Sequence, residues 1–305
     1  MIINTSGPRL LHGTVCVPSL TVASRLYVDL LEQNIVERGF ISAEEARAWQ
    51  APATEGASFM VLQPASGVPV YLRLIEQPTP SASLASYEPG KHYGWSALEL
   101  TVENADAVHE RLVEANKLII AAPIIAAPKK LAFTDNLYPM QARGPGGEAL
   151  YLNEVRGNLP SSDLPMAQCW VDQLFIAVMG CRSREATLDF YNGLLSTTTS
   201  GTWDIEYSVI NLAFGLPAST THMLSTVADG RTVLFEIDQY PAAASAAPQD
   251  EDALTPGICS IGIRVAAPPA AAWLTPPTVR TNAPYFGATV GVVRGPDDEL
   301  TELIW

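Results

Sequence analysis

Cysteine is scarce in this chain. Its 305 residues include four, Cys16, Cys169, Cys181 and Cys259, far apart and without a CxxC pair. That spacing excludes a disulfide frame or a zinc ribbon and reads as reduced thiols of a cytoplasmic protein. Basic residues are few as well: 18 Lys and Arg stand against 32 Asp and Glu, a formal charge of -14. Such a field repels phosphate backbones and anionic lipid surfaces, so neither nucleic acid nor membrane is expected as a partner. No apolar run approaches the roughly 20 residues that a spanning helix needs. The opening MIINTSGPRL lacks the basic segment and apolar core of a secretory signal, so none is expected. There are only four histidines, and no HExxH, Gly-x-Ser-x-Gly elbow, phosphate loop or dinucleotide fingerprint. These absences remove the zinc-protease, serine-hydrolase and nucleotide-binding classes that announce themselves by short motifs.

What is present is apolar material and internal repetition. Hydrophobic residues make up 48% of the chain and charged ones 16%, enough for a sizeable core. Pro-, Ser- and Ala-rich stretches at 78–91, 156–165 and 241–257 read as linkers, and 121–130 as a loop or insertion. Between them, four segments each open on an apolar, β-branched run, starting at His12, Ala97, Gln173 and Ser260. Amphipathic helices are expected after the first three, over 20–31, 104–116 and 183–195. Prolines break the corresponding stretch of the fourth, 268–277. Each segment closes on a further strand: 68–76, 148–155, 232–238 and 299–305. The turns GPGG (144–147) and GPDD (295–298) lead into the second and the last. The first and second segments recur in the third and fourth at a nearly constant offset of about 160 residues. The expected fold is therefore α+β, with four units of strand, helix and several strands. Two domains are expected, 1–157 and 166–305.

The opening stretches VDQLFIAVMGCRSREATLDFYNGLL (171–195) and GICSIGIRV (257–265), with the closing stretches RGPGGEALYL (143–152) and RGPDDELTELI (294–304), resemble the vicinal oxygen chelate superfamily. That superfamily includes glyoxalases, bleomycin-resistance proteins and extradiol dioxygenases. The resemblance implies four βαβββ modules paired into two cup-shaped half-barrels. It also implies that a metal, where one is bound, is held by one side chain from each opening and each closing strand of a cup.

Carried onto this chain, those positions are His12, Leu74, Ala97 and Tyr151 in the N-terminal half, and Gln173, Glu236, Ser260 and Glu302 in the C-terminal half. If consecutive modules pair, as the central linker and equal halves suggest, Glu236, Glu302 and Gln173 form a glyoxalase-like set with serine in place of histidine. A divalent metal there would be Fe, Mn, Zn or Ni. If the first module faces the fourth instead, His12 joins Ser260 and Glu302.

The resemblance thus implies lyase, isomerase or ring-cleavage chemistry on a small, apolar, oxygen-bearing substrate. Glu302 and Glu236 would be ligand or base and His12 a second acid or base. Gln173, Ser260, Tyr151, Phe175 and Glu99 would contact substrate. A metal-free variant would use carboxylates of unequal pKa. The alternative is a non-catalytic protein of the bleomycin-resistance type that binds a drug or metabolite in an apolar cup. Edge strands of such modules suit a homodimer.

Overall fold

The computed structural model describes residues 7–77, 81–118, 122–131 and 133–305. Among these residues, sixteen strands form two eight-stranded sheets. The first module supplies β1 (Arg9–Val17), β2 (Asn34–Phe40), β3 (Ser58–Gln63) and β4 (Tyr71–Glu76). The second supplies β5 (Gly94–Val102), β6 (Ile124–Ala126), β7 (Leu137–Arg143) and β8 (Ala149–Val155). The third supplies β9 (Val171–Cys181), β10 (Thr198–Glu206), β11 (Thr221–Asp229) and β12 (Thr232–Gln239). The fourth supplies β13 (Gly257–Arg264), β14 (Thr278–Arg280), β15 (Ala288–Arg294) and β16 (Leu300–Ile304). Six α-helices accompany them: α1 (Leu20–Ser24), α2 (Ala43–Ala48), α3 (Ala82–Ser86), α4 (Ala105–Lys117), α5 (Arg184–Leu195) and α6 (Ser208–Phe214).

The helices form where spacing and caps agree. In α4 the Asn104 side chain accepts from the Ala107 N–H, and Ala105, Val108, Leu112 and Ala115 make one buried stripe. In α5 Ser183 caps the start, and Thr187, Leu188, Tyr191 and Leu195 are buried. The expected helix at 20–31 begins as α1 and continues as a π-helical turn, Arg25–Leu30. The fourth module has no helix between β13 and β14, as its prolines require. Two expected loops carry short elements: α3 lies in the first linker, and β6 lies within 121–130. Residues 78–80 and 121 of those stretches fall outside the described residues.

The strand order corrects the expected pairing of consecutive modules. One sheet runs β14-β15-β16-β13-β1-β4-β3-β2 and joins the fourth module to the first. The other runs β10-β11-β12-β9-β5-β8-β7-β6 and joins the third to the second. At each centre two opening strands pair antiparallel, β1 with β13 and β5 with β9. Each cup is therefore built from both halves of the chain, and the break at 156–165 is a connection within the second sheet, from β8 to β9. Pairing opening strands removes an exposed edge from each module, and the closed segment between partners can be long at modest entropic cost.

Between the sheets lies the largest apolar core, which includes Leu98, Leu174, Ala177, Ile261 and Ile263 with Tyr27 and Tyr191 from the helical segments. The sheets approach closely at Gly13, where a Cβ would stand 2.9 Å from Leu98 Cδ2. Two equivalent clasps cross this core. The Tyr27 hydroxyl, on a first-module helix, bonds Glu148 of the second module. The Tyr191 hydroxyl, on α5, bonds Glu299 Oε1 at 2.8 Å. Both glutamates end the proline turns, whose backbones close through Gly144 N–H to Glu148 O and Gly295 N–H to Glu299 O.

Candidate functional site

Each sheet curls around its own interior, and the two interiors differ in charge. In the cup of β1, β4, β13 and β16, strand register places His12 beside Gly262 and Gly262 beside Glu302. His12 and Glu302 are fully buried, with His12 Nε2 3.1 Å from Glu302 Oε2. The Glu302 carboxylate also accepts from Trp49 Nε1 at 2.5 Å, Arg280 Nη1 at 3.1 Å and the Tyr285 hydroxyl at 2.7 Å. Arg73 donates to Tyr285 at 3.0 Å and to Glu45 at 2.8 Å, and its guanidinium lies 4.5 Å from the Phe59 ring centroid. Burial works to raise the Glu302 carboxyl, but Arg280, His12 and Tyr285 hold it well below the usual carboxylate range. Two guanidiniums balance two carboxylates here. The cup is a charge-balanced ionic core, in which Arg73 Nε, Arg280 Nε and Nη2 and the Ser260 hydroxyl have no hydrogen-bond partner.

The other cup, of β5, β8, β9 and β12, carries acid without base. Glu236 and Asp238 alternate along β12, and Glu99 enters from β5 beside Tyr151 of β8. Glu99 is 5% exposed and Asp238 1%, while Glu236 keeps part of its surface open to solvent. The Tyr207 hydroxyl, just before α6, lies 2.6 Å from Glu236 Oε1 and 2.8 Å from the Tyr151 hydroxyl. Asn153 Nδ2 donates to Glu99 Oε2 at 2.6 Å. Phe175, Ile176, Val178 and Tyr240 make the apolar wall, and the Tyr240 ring lies on Gly180 with no room for a Cβ.

Among the described residues no Arg, Lys or His side chain bonds Glu99, Glu236 or Asp238. Burial raises Glu99 and Asp238 well above the ordinary carboxylate range, and the neighbouring Glu236 charge adds to both. Glu236 is raised by burial too, but hydrogen bonds from Tyr207 and Asp238 favour its ionised form. It is therefore the carboxyl that loses its proton first, and the three titrate as one cluster.

The residues expected to meet are thus divided. His12, Ser260 and Glu302 lie in the first cup; Glu99, Tyr151, Phe175, Gln173 and Glu236 belong to the second sheet. Glu236 and Glu302 cannot share an ion, because different sheets carry them. Gln173 does not join Glu236 either. Glu236 registers with Val178, five residues further along β9, a separation of roughly 16 Å on an extended strand. Ser260 is buried beside Thr14, its hydroxyl without a partner, two residues from the Glu302 row. On β4 the inward residue is Arg73 and not Leu74, which belongs to the core between the sheets.

Tyr27, Trp95 and Tyr191 also pack in that central core and line neither cup. His222 lies on β11, its Nε2 2.8 Å from Asn211 Oδ1. His92 lines a cleft of about 320 Å³ at the seam between the sheets, together with Trp49, Tyr93 and Asp297. Sequence reasoning missed Asp238, Asn153, Arg73, Arg280, Tyr285 and Trp49. Only the first had a usable signal, as a second acid two residues after Glu236 on the same strand face.

The donor sets do not fit the expected metal. Among the described residues no three His, Cys, Asp or Glu side chains are arranged to hold an ion. In the first cup hydrogen-bond donors already take both oxygens of Glu302. Nor is any helix among the described residues long and apolar enough to cross a membrane.

No family model matches the sequence, and no curated protein matches it. Solved structures do. Glyoxalase I from Zea mays superposes with a TM-score of 0.62 at 11% identity, over 97% of this chain and 92% of that one. A point mutant of the same enzyme gives 0.63 at 12% identity over the same shares. A putative dioxygenase from Bacillus subtilis subsp. subtilis str. 168 gives 0.61 at 11% identity, over 97% of this chain and 84% of that one. With four modules, two curled eight-stranded sheets and this superposition across nearly its whole length, the chain has the fold of the vicinal oxygen chelate superfamily.

Proposed function

We propose that the second cup is the working site of a small-molecule enzyme that moves a proton next to a carbonyl, a lyase- or isomerase-type reaction on a small apolar, oxygen-bearing substrate. The observation that carries this reading is the contrast between the cups. The first neutralises its carboxylates with arginines, whereas the second, among the described residues, leaves three carboxyls together without a cation. Buried carboxyls of unequal affinity for protons are what acid–base catalysis near neutral pH needs. Glu236, the most acidic and the one open to solvent, is the base. Glu99 and Asp238 hold protons and return them. The Tyr207 hydroxyl holds Glu236 ionised, and the Tyr151 hydroxyl beside it supplies a hydrogen bond to an oxygen on which negative charge develops. Phe175, Ile176 and Val178 hold the apolar part of the substrate. No step is routed through a metal, since the residues do not fit one.

The test is exchange of the α-proton of small aryl ketones and α-ketols in deuterium oxide, followed by proton NMR. The wild type should exchange at least one of them, and Glu236→Gln, with unchanged melting, should be slower by about 100-fold or more. Equal exchange by both proteins, or none by the wild type, defeats the proposal. Binding of the same compounds without exchange would instead favour the bleomycin-resistance type of sequestering protein.

A further inference from the structure

We infer that the ligand of the second cup carries a positive charge, as a protonated amine attached to an apolar, aromatic-sized body. The inference rests on the acid–base reading of the same cup and adds the substrate's charge to it. Two buried acceptors carry it besides the carboxyl cluster. Asp238 Oδ1 and Asn153 Oδ1 have no hydrogen-bond partner, although both residues are only 1% exposed. A buried acceptor left alone is costly, and native proteins leave few of them.

The protein's donors to the cluster are the Asn153 amide on Glu99, the Tyr207 hydroxyl on Glu236 and the protons that Glu99 and Asp238 hold. Glu99, Glu236 and Asp238 offer many more acceptor positions than these can serve. In the first cup the imbalance runs the other way, since Arg73 and Arg280 serve Glu45 and Glu302 and still leave three of their own nitrogens without an acceptor. In the second the position on β8 equivalent to Arg73 carries Tyr151, and among the described residues no charged nitrogen bonds the three carboxyls. An ammonium group supplies both missing features, positive charge and three N–H donors in a compact volume. The wall of Phe175, Tyr151, Tyr207 and Tyr240 suits a flat apolar body, and ring faces further favour an adjacent cation. Glu236 is the one carboxyl of the three with exposed surface.

The experiment compares benzylamine, benzyl alcohol and benzoate, equal in ring and differing in charge, by calorimetric titration of the full chain near neutral pH. Benzylamine should bind about tenfold or more tightly than the alcohol, with benzoate weakest. Asp238→Asn should reduce the preference for the amine to near parity with the alcohol. Glu99→Gln, of the same shape as the native residue, serves if the first variant melts early. Alcohol binding at least as tight as the amine's, an amine preference unchanged in both variants, or no amine binding would overturn the inference. The acid–base reading fails separately, on α-proton exchange that survives Glu236→Gln.

Discussion

The two clasps between the sheets give the clearest quantitative expectation. Glu148 and Glu299 are buried at the ends of their proline turns, each facing one tyrosine hydroxyl, from Tyr27 and Tyr191 respectively. Burial raises both carboxyls from the usual 4.5 to about 7, against the opposing hydrogen bonds from tyrosine and backbone. The native state therefore holds these protons more tightly than the unfolded chain. Each site contributes stability that is complete below pH 4.5 and is lost as pH rises through about 7. At 1.36 kcal/mol per pH unit, the loss is about 3 kcal/mol for each site.

That is a large share of the roughly 5–15 kcal/mol that holds a typical domain together. Replacing each glutamate by glutamine keeps an acceptor for the tyrosine and removes the titration. Urea unfolding at pH 5, 6, 7 and 8 should show the wild type weakening toward pH 8. Glu148→Gln and Glu299→Gln should each flatten that decline by about 3 kcal/mol. A pH dependence identical to the wild type's in both variants would refute the burial argument.

Other outcomes follow from the two cups. Arg280→Ala removes a guanidinium from the buried Glu302, and should lower unfolding free energy by about 3–5 kcal/mol in the same urea assay. Gly262→Ala would put a Cβ 2.2 Å from His12 Nε2, and the displaced ring should cost about 1–3 kcal/mol, read as a fall in melting temperature. Tyr207→Phe deletes a hydrogen bond that favours ionised Glu236, so the midpoint of the pH–rate profile for α-proton exchange should move to higher pH.

The sequence was most informative where one strand or helix decided the matter. The opening runs at His12, Ala97, Gln173 and Ser260 lie in strands, and the prolines of 268–277 did prevent a helix. Glu236 stood out as a charge inside an apolar strand, and Asp238 was legible in principle by alternation from it. That the Tyr207 hydroxyl reaches Glu236 was not legible, because 29 residues and a whole strand separate them. Arg280 and Tyr285 were hidden as well, since nothing in TVRTNAPYFG indicates that this segment turns inward to Glu302. Trp49 follows a short surface-looking helix, α2, whose Glu45 caps its own first turn and also binds Arg73.

Local pattern thus determined the repeated unit: which residues extend, which coil, and that four such units exist. Pairing of the units was decided only by the tertiary structure, since an apolar opening strand can satisfy its edge against any similar strand. That pairing joins β1 to β13 and β5 to β9, and so sends Glu302 to the arginines and Glu236 to Glu99 and Asp238. The charge state of each cup depends on neighbours far away in the chain, through burial and short-range electrostatics that no stretch of sequence contains.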